Sequence, residues 1–414
     1  MCDGPSPVAS GCLSISPALK QPVSGSLRYT FVKNGPLKTE HKTGVTVSES
    51  NPSVLELRGS SISYFTGKME NYFRIKGIPY RFESMRFPGE VKRNKQVLGL
   101  SQMPVVQLPD GRWMTDTTAM IQWFESQYPE TSIVPDDSAQ AFVCYLLEDW
   151  ADEWWWRPAM HYRWYYPEGA RFASGHLARE VMGGLHLPLF MKRAMLRRRQ
   201  RNGYTRGDGI GPNAVPGIET DVANLFSQLE RIFSVRPFLF GDRPTLADVG
   251  FAGPFFRHFA LDPIPLQRLR HTAPKTLEWV VRLWNARLET AVGDLVQGIP
   301  DDIQELLKHM SRGYLPYLNE NVTAIKAGKS RFTTTLDGVT YSQARSSQYR
   351  VWCLSQLRDR YGALTEHAQT RLENVLKHAG VWDPLWQQVD LPMTKSQESR
   401  LPFWGDHKMT MVNE

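Results

Sequence analysis

Cysteine is scarce and scattered in this chain: Cys2, Cys12, Cys144 and Cys353 are all it has, and no two form a C-x-x-C pair. That pattern excludes a disulfide framework, a cysteine zinc site and a dithiol redox centre together. No window approaches the run of about twenty uncharged apolar residues that crosses a bilayer. The N-terminal MCDGPSPVASGCLSISP lacks the charged and apolar blocks of a secretory signal, so a cytoplasmic protein is expected. Acid is nearly missing from the first forty positions, which are rich in Ser and Pro. An organelle transit peptide is one reading of them, and a disordered tail is the preferred one. No internal repeat is found.

What the chain does have is length and apolar mass. Its 414 residues, 41% hydrophobic and 11% aromatic, are enough for two or three domains with real cores. The net charge of +7 is modest, and residues 192–206, KRAMLRRRQRNGYTR, hold seven bases and no acid. Such a run can meet nucleic acid. No RNA or DNA motif accompanies it, so it is read as a solvated helix end and loop.

Residues 1–52 show no sustained periodicity, and order is expected from Val54. VLELR (54–58) reads as a strand, KMENYFRIKG (68–77) as a helix ended by Gly77, and IPYRFESM as a second strand. After a basic connector come two short strands, 105–108 and 112–114, joined at Pro109-Asp110-Gly111, and then a helix, TTAMIQWFESQYP, stopped by Pro129. Beyond Pro135 the strand signals vanish, and helices are expected over 139–156, 178–201, 218–233, 246–260 and 274–288. From about 293 the character changes again. ELLKHM and LPYLNENVTAIKAG read as helices, SRFTTTLDGVTYSQ as a hairpin turning at Asp337-Gly338, and SSQYRVWCLSQLRDRY and EHAQTRLENVLKHAG as amphipathic helices. The expected organisation is a tail (1–52), an α/β unit (53–132), an all-helical domain (137–292), a helical and hairpin extension (293–390) and a loose tail (391–414).

Three stretches then stand out in order: S-Y-F-T-G-K-M (63–69) followed by K-G-I-P-Y (76–80); Q-M-P-V-V (102–106) followed by T-D-T-T-A-M-I (115–121); and R-P-T-L-A-D-V-G-F (243–251). Together they resemble the glutathione S-transferase family, in which a thioredoxin-like α/β domain precedes an all-helical one. The resemblance covers 53 to about 290 and leaves the tail and the extension outside. It departs from the family at Leu98-Gly99-Leu100-Ser101, where the pattern is Asn-Pro-x-Gly, at Tyr64, where proline is usual, and at Asp116-Thr117, where Glu-Ser is usual.

A thiol attacks as its thiolate, and a free thiol is mostly protonated at neutral pH. A helix N-terminus and a hydroxyl just before it both favour the anion. Ser63 stands at such a strand-to-helix junction and is the expected catalytic residue, with Ser60, Ser61, Tyr64 and Thr66 as competitors and a plain helix cap as the bland reading. By the resemblance, glutathione would be the co-substrate. Pro104 would be a cis-proline exposing the Met103 main chain to the cysteinyl part of the tripeptide, Asp116 would meet the γ-glutamyl ammonium and Thr117 its carboxylate, and Tyr64 would border the same site. Thr245 and Asp248 read as a structural capping box.

Glu148 to Tyr166, EDWADEWWWRPAMHYRWYY, packs five of the thirteen tryptophans beside four carboxylates, two arginines and a histidine. Glu148 and Asp152 share a helical face, as do Asp149 and Glu153, with Arg157 and Arg163 as expected counter-charges. No E-x-x-H or H-x-x-x-H spacing supports a metal, and none is expected. Trp150, Trp154, His161 and Tyr162 are expected to line the pocket of the second substrate or the core. The first functional reading is a serine-type glutathione transferase, usually a homodimer in this family, acting on a hydrophobic or aromatic electrophile. The alternative is a non-catalytic relative whose extension binds a protein partner.

Overall fold

The computed structural model describes residues 54–393 apart from 100 and 292; the tail expected over 1–52, and all but the first three residues of that expected over 391–414, lie outside the described residues. Period-two alternation puts Leu55 and Leu57 on the buried side of the first strand, β1 (Leu55–Gly59). Then follow α1 (Tyr64–Lys76), β2 (Tyr80–Ser84), α2 (Gly89–Leu98), β3 (Val105–Gln107), β4 (Trp113–Thr115) and α3 (Thr117–Gln127). The strand order is β2-β1-β3-β4, with β1 and β2 parallel and the other two pairs antiparallel. This is the thioredoxin-like arrangement. α1 stops where Gly77 takes a left-handed conformation, φ 69°, that a Cβ would disfavour. The basic connector contains α2, which carries Glu90, Lys92, Arg93 and Lys95 and buries only Asn94 and Leu98, too few for an apolar stripe to be read.

The helical part comprises α4 (Ser138–Glu153), α5 (Trp156–Tyr165), α6 (Pro167–Glu180), α7 (Leu189–Gln200), α8 (Val215–Phe233), α9 (Leu246–Pro254), α10 (Pro263–Thr272) and α11 (Pro274–Asn285). Asp137 starts α4 by accepting the Ala139 and Gln140 amides at 2.9 and 3.0 Å. The helix expected over 139–156 breaks at Trp154–Trp155, two residues before a proline-bearing new start. That expected over 178–201 is two helices, because Gly183, Gly184 and Pro188 interrupt the hydrogen-bond ladder. α9 crosses α4 closely: a Cβ on Gly250 would lie 2.7 Å from the Glu148 Cα.

At the start of α9, Thr245 and Asp248 form a capping box. Asp248 does more than cap. Fully buried, it accepts hydrogen bonds from the Thr245 amide and hydroxyl (2.9 and 3.0 Å), the Leu239 amide (3.0 Å) and the Trp279 indole (3.0 Å). Asp248→Ala would leave four buried donors unmet, so the expected loss is about 3 kcal/mol or more, beyond the ~1 kcal/mol of a surface cap. Urea unfolding of the purified variant checks this, and a shift below about 1 kcal/mol would contradict it.

The extension is α12 (Asp301–Lys326), β5 (Arg331–Leu336), β6 (Val339–Arg345), α13 (Gln348–Gly362), α14 (Glu366–His378) and α15 (Trp382–Trp386). The two helices expected here are one, since α12 runs through Pro316. Asp337 and Gly338, both with positive φ, turn the hairpin. These elements pack on α4: the Tyr314 hydroxyl donates to Asp149 (2.6 Å), Arg350 pairs with Glu153 (3.4 Å), Tyr361 meets Phe142 edge-on and the Arg360 guanidinium lies 3.5 Å from the Tyr145 ring centroid.

Candidate active site

A cleft of about 290 Å³ opens where the β1–α1 loop, the β3 entrance, the start of α3 and the α4–α5 junction converge. Ser63 lines it as the N-cap of α1, and its Oγ accepts the Thr66 amide at 3.4 Å, leaving its proton to donate. The first turn of α1 holds no acidic residue to offset the helix dipole. Three neighbouring hydroxyls are committed elsewhere, and the fourth, Thr66, is buried without a hydrogen-bond partner among the described residues and does not line the cleft. Ser60 donates to Glu180 (2.7 Å), Ser61 shares a hydrogen bond with His176 (2.7 Å), Tyr64 donates to the Ala151 carbonyl (2.6 Å), and Thr66 is buried against Gly59.

Met103 and Pro104 border the cleft, and the peptide bond between them is cis. Across from them Asp116 caps α3, accepting the Ala119 amide at 3.3 Å, with φ at 75°, a strained value for a residue with a Cβ. Burial raises the Asp116 carboxyl above its usual range, opposed by the nearby Tyr349 phenol and by the Ala119 amide that it accepts from. Thr117 is buried beside it. Tyr349 belongs to α13, so the extension reaches this site.

The floor is acidic. Lys68, fully buried in α1, holds Glu148 and Asp152 at 2.5 Å each, and the Thr118 hydroxyl donates to Glu148 at 2.6 Å. Neither expected counter-charge meets this pair: Arg163 pairs with Asp262 (2.9 Å), and Arg157 stacks 3.8 Å from the Tyr317 ring centroid while its charge favours ionised Glu153. Burial alone would lower the Lys68 ammonium, but its two carboxylates hold it above the usual range. Burial raises the Asp152 carboxyl, with Lys68 opposing and Glu148 adding to the rise. Asp152 Oδ1 has no hydrogen-bond partner among the described residues, and the residue borders the cleft with Glu153.

The aromatic wall is made by Trp156, Met160 and Trp164, spaced i, i+4, i+8 on α5, together with Leu177, Val181, Leu196 and Tyr204. Trp156 stacks on Phe65 at 5.6 Å. None of Trp150, Trp154, His161 and Tyr162 borders this cleft. Trp150 packs against Trp155 and His309; Trp154 donates to Asp221 (3.0 Å) amid Tyr314, Tyr317 and Tyr341; His161 meets Glu219; and Tyr162 accepts from Arg268. The break before α5 turns its helical face relative to α4, and the spacing of Trp156, Met160 and Trp164 is the sequence signal that shows it. Arg199 and Gln200 of the basic run, and His258, complete the lining. Burial lowers His258 to about 4, so its ring is neutral at neutral pH. Cys144 and Cys353 are free and buried, and burial pushes the Cys144 thiol up to about 12, far from a thiolate nucleophile. Among the described residues no His, Cys, Asp and Glu group is placed to hold a metal, and no helix is long and apolar enough to cross a membrane.

Residues 57–132 match the family model for the glutathione S-transferase N-terminal domain, and residues 214–286 match that for its C-terminal domain. These two segments carry the glutathione S-transferase N- and C-terminal domain patterns. No curated protein matches its sequence. Among solved structures, it is similar to a glutathione S-transferase from Rhodospirillum rubrum F11 (18% identity, 56% of this chain and 87% of that one, TM-score 0.36). It is also similar to the beta-etherase LigF from Sphingobium sp. strain SYK-6 (18%, 56% and 94%, 0.40) and to rice GST1 in complex with glutathione (16%, 55% and 86%, 0.35). The matched segments span Ser63 to Thr117 but neither α4–α7 nor the extension. The matches therefore bear on one side of the cleft and do not reach Trp156, Arg199 or Tyr349.

Proposed function

We propose that this chain is a serine-type glutathione transferase. One observation carries the reading: of the hydroxyls around the start of α1, Ser63 alone among the described residues both faces the cleft and keeps its proton free of another protein acceptor. Ser63 would donate a hydrogen bond to the glutathione sulfur, which with the positive end of α1 favours the thiolate. Met103 would present its main chain to the cysteinyl unit, Asp116 would take the γ-glutamyl ammonium and Thr117 at the start of α3 its carboxylate. The thiolate attacks a hydrophobic or aromatic electrophile held on Trp156, Met160 and Trp164; a carbon–sulfur bond forms, the leaving group departs with its electron pair, and the thiol proton passes to solvent. Retention on immobilised glutathione and Ser63-dependent turnover of a chloronitrobenzene test this. A folded protein showing neither would overturn it. A free partner-binding role for the extension has less support, because its helices pack on the chain's own α4.

Tyr349 belongs to the same reading. Its phenol helps to keep Asp116 ionised against the effect of burial. Tyr349→Phe is expected to raise the KM for glutathione about three- to tenfold with little change in kcat, the size of one hydrogen bond to a charged group. Because the variant's Asp116 titrates higher still, more of it is protonated at pH 6 than at pH 8, and the KM defect should be larger at pH 6. Steady-state kinetics at the two pH values checks both statements, and an unchanged KM would remove Tyr349 from the site.

A further inference from the structure

The surface of α7 has no part in the chemistry above. Exposed large apolar side chains are ordinarily scattered singly. Here five of the eleven among the described residues fall between 187 and 195: Leu187, Leu189, Phe190 (71% exposed), Met191 (41%) and Met195 (50%). Leu196 fastens the helix to Ala178 and Met182 of the α6 region, so only one side of α7 is covered. Phe190, Met191, Ala194, Met195 and Arg198 follow i, i+1, i+4, i+5, i+8 on the open side, apolar for its first turns and basic after them.

The charge around this patch is of one sign. Residues 181–207 contain no Asp or Glu and seven bases. None of Lys192, Arg193, Arg197, Arg198, Arg199, Arg201 and Arg206 pairs with a carboxylate among the described residues. Apolar side chains beside unpaired cations suit a surface that offers hydrocarbon beneath negative headgroups. A nucleic acid would satisfy the arginines but leave Phe190 and Met191 without an apolar partner. A second copy of the chain would bring one basic run against another.

We propose that the open face of α7 docks on an anionic phospholipid surface, with Phe190, Met191 and Met195 entering the interface and Arg197, Arg198 and Arg201 meeting the phosphates. Leu196, Arg199 and Gln200 of the same helix line the cleft, so docking sets the cleft mouth at the lipid boundary, where a hydrophobic acceptor concentrates. Docking itself does not depend on the cleft's chemistry.

The test is sedimentation of the full chain with vesicles of phosphatidylcholine alone and of phosphatidylcholine with about one third phosphatidylglycerol. Binding is expected to the anionic vesicles only, weakening at least about tenfold when salt is raised from low to several times physiological strength. Phe190→Glu with Met191→Glu, and separately Arg197→Glu with Arg198→Glu, should each cut it by about tenfold or more. Circular dichroism confirms that these surface variants fold. Equal binding to neutral vesicles, no binding, or binding indifferent to the Phe190 and Met191 pair overturns the proposal. So does tight, salt-dependent capture of single-stranded RNA that ignores that pair, or a dimer on size exclusion that the pair dissociates. Glutathione turnover is not read in any arm, so this proposal and the catalytic one fail separately.

Discussion

Ser63→Ala is expected to lower kcat/KM for glutathione-dependent turnover at neutral pH by about two to three orders of magnitude, the usual cost of removing one preorganised donor from a developing or bound anion. The sign in pH is fixed. A hydrogen bond donated to the thiolate stabilises the charged form and lowers the thiol pKa, so its removal raises that pKa, and the rate defect should shrink as pH rises. The thiolate absorbance of bound glutathione, titrated in the ultraviolet, should shift to higher pH in parallel. Stability should change little, because the cap bond lost is long, 3.4 Å, and a cap contributes about 1 kcal/mol. Ser63→Thr keeps the hydroxyl and should retain much of the activity. If Ser63→Ala instead leaves the rate and the thiol titration unchanged, Ser63 is a helix cap and the serine mechanism is wrong.

Lys68→Met should be the most damaging single change to folding. It removes the one cation held between Glu148 and Asp152, all three being buried. Breaking a buried ion pair from one side costs about 3–5 kcal/mol, because the remaining charge stays desolvated. In the variant the Asp152 carboxyl loses the cation that opposed its upward shift. A carboxyl whose folded pKa lies above its unfolded one binds more protons when folded, so this site gains stability as pH falls through the folded value toward the unfolded one near 4. The deficit relative to the parent should therefore be large at pH 8 and smaller at pH 5. Urea midpoints at both values test it. Adding Glu148→Gln and Asp152→Asn to Lys68→Met should restore most of the loss, which keeps the test open if the single variant does not fold. A deficit that does not depend on pH would mean that shape rather than charge is what Lys68 provides.

The parts of this protein legible in its sequence are those decided within a few residues. Alternation in LELRG, the Gly77 stop, the Asp337-Gly338 turn and the Thr245–Asp248 box each act over less than one element, so order and type of elements could be read. The α/β unit, the helical domain and the hairpin of the extension follow from them. α2 was not legible, because four charges in ten residues hide any apolar period. Nor was the continuity of α12, whose Pro316 ordinarily ends a helix; packing on both sides carries it through.

The cleft is a different matter. That Ser63 is the uncommitted hydroxyl depends on Glu180 and His176, more than a hundred residues away, taking up Ser60 and Ser61. The counter-charge of the Glu148–Asp152 pair is Lys68, eighty residues before Glu148, although two arginines stand closer in sequence. Which tryptophans line the cleft turns on a helix break between Glu153 and Trp156, and Tyr349 comes to the cleft beside Asp116 only because α13 folds back over α4. Local periodicity and turn chemistry, present in the sequence itself, were enough for the framework. The partners of buried charges, the facing of the aromatic wall and the arrival of the extension were decided by tertiary structure alone, because each depends on contacts between residues far apart in the chain.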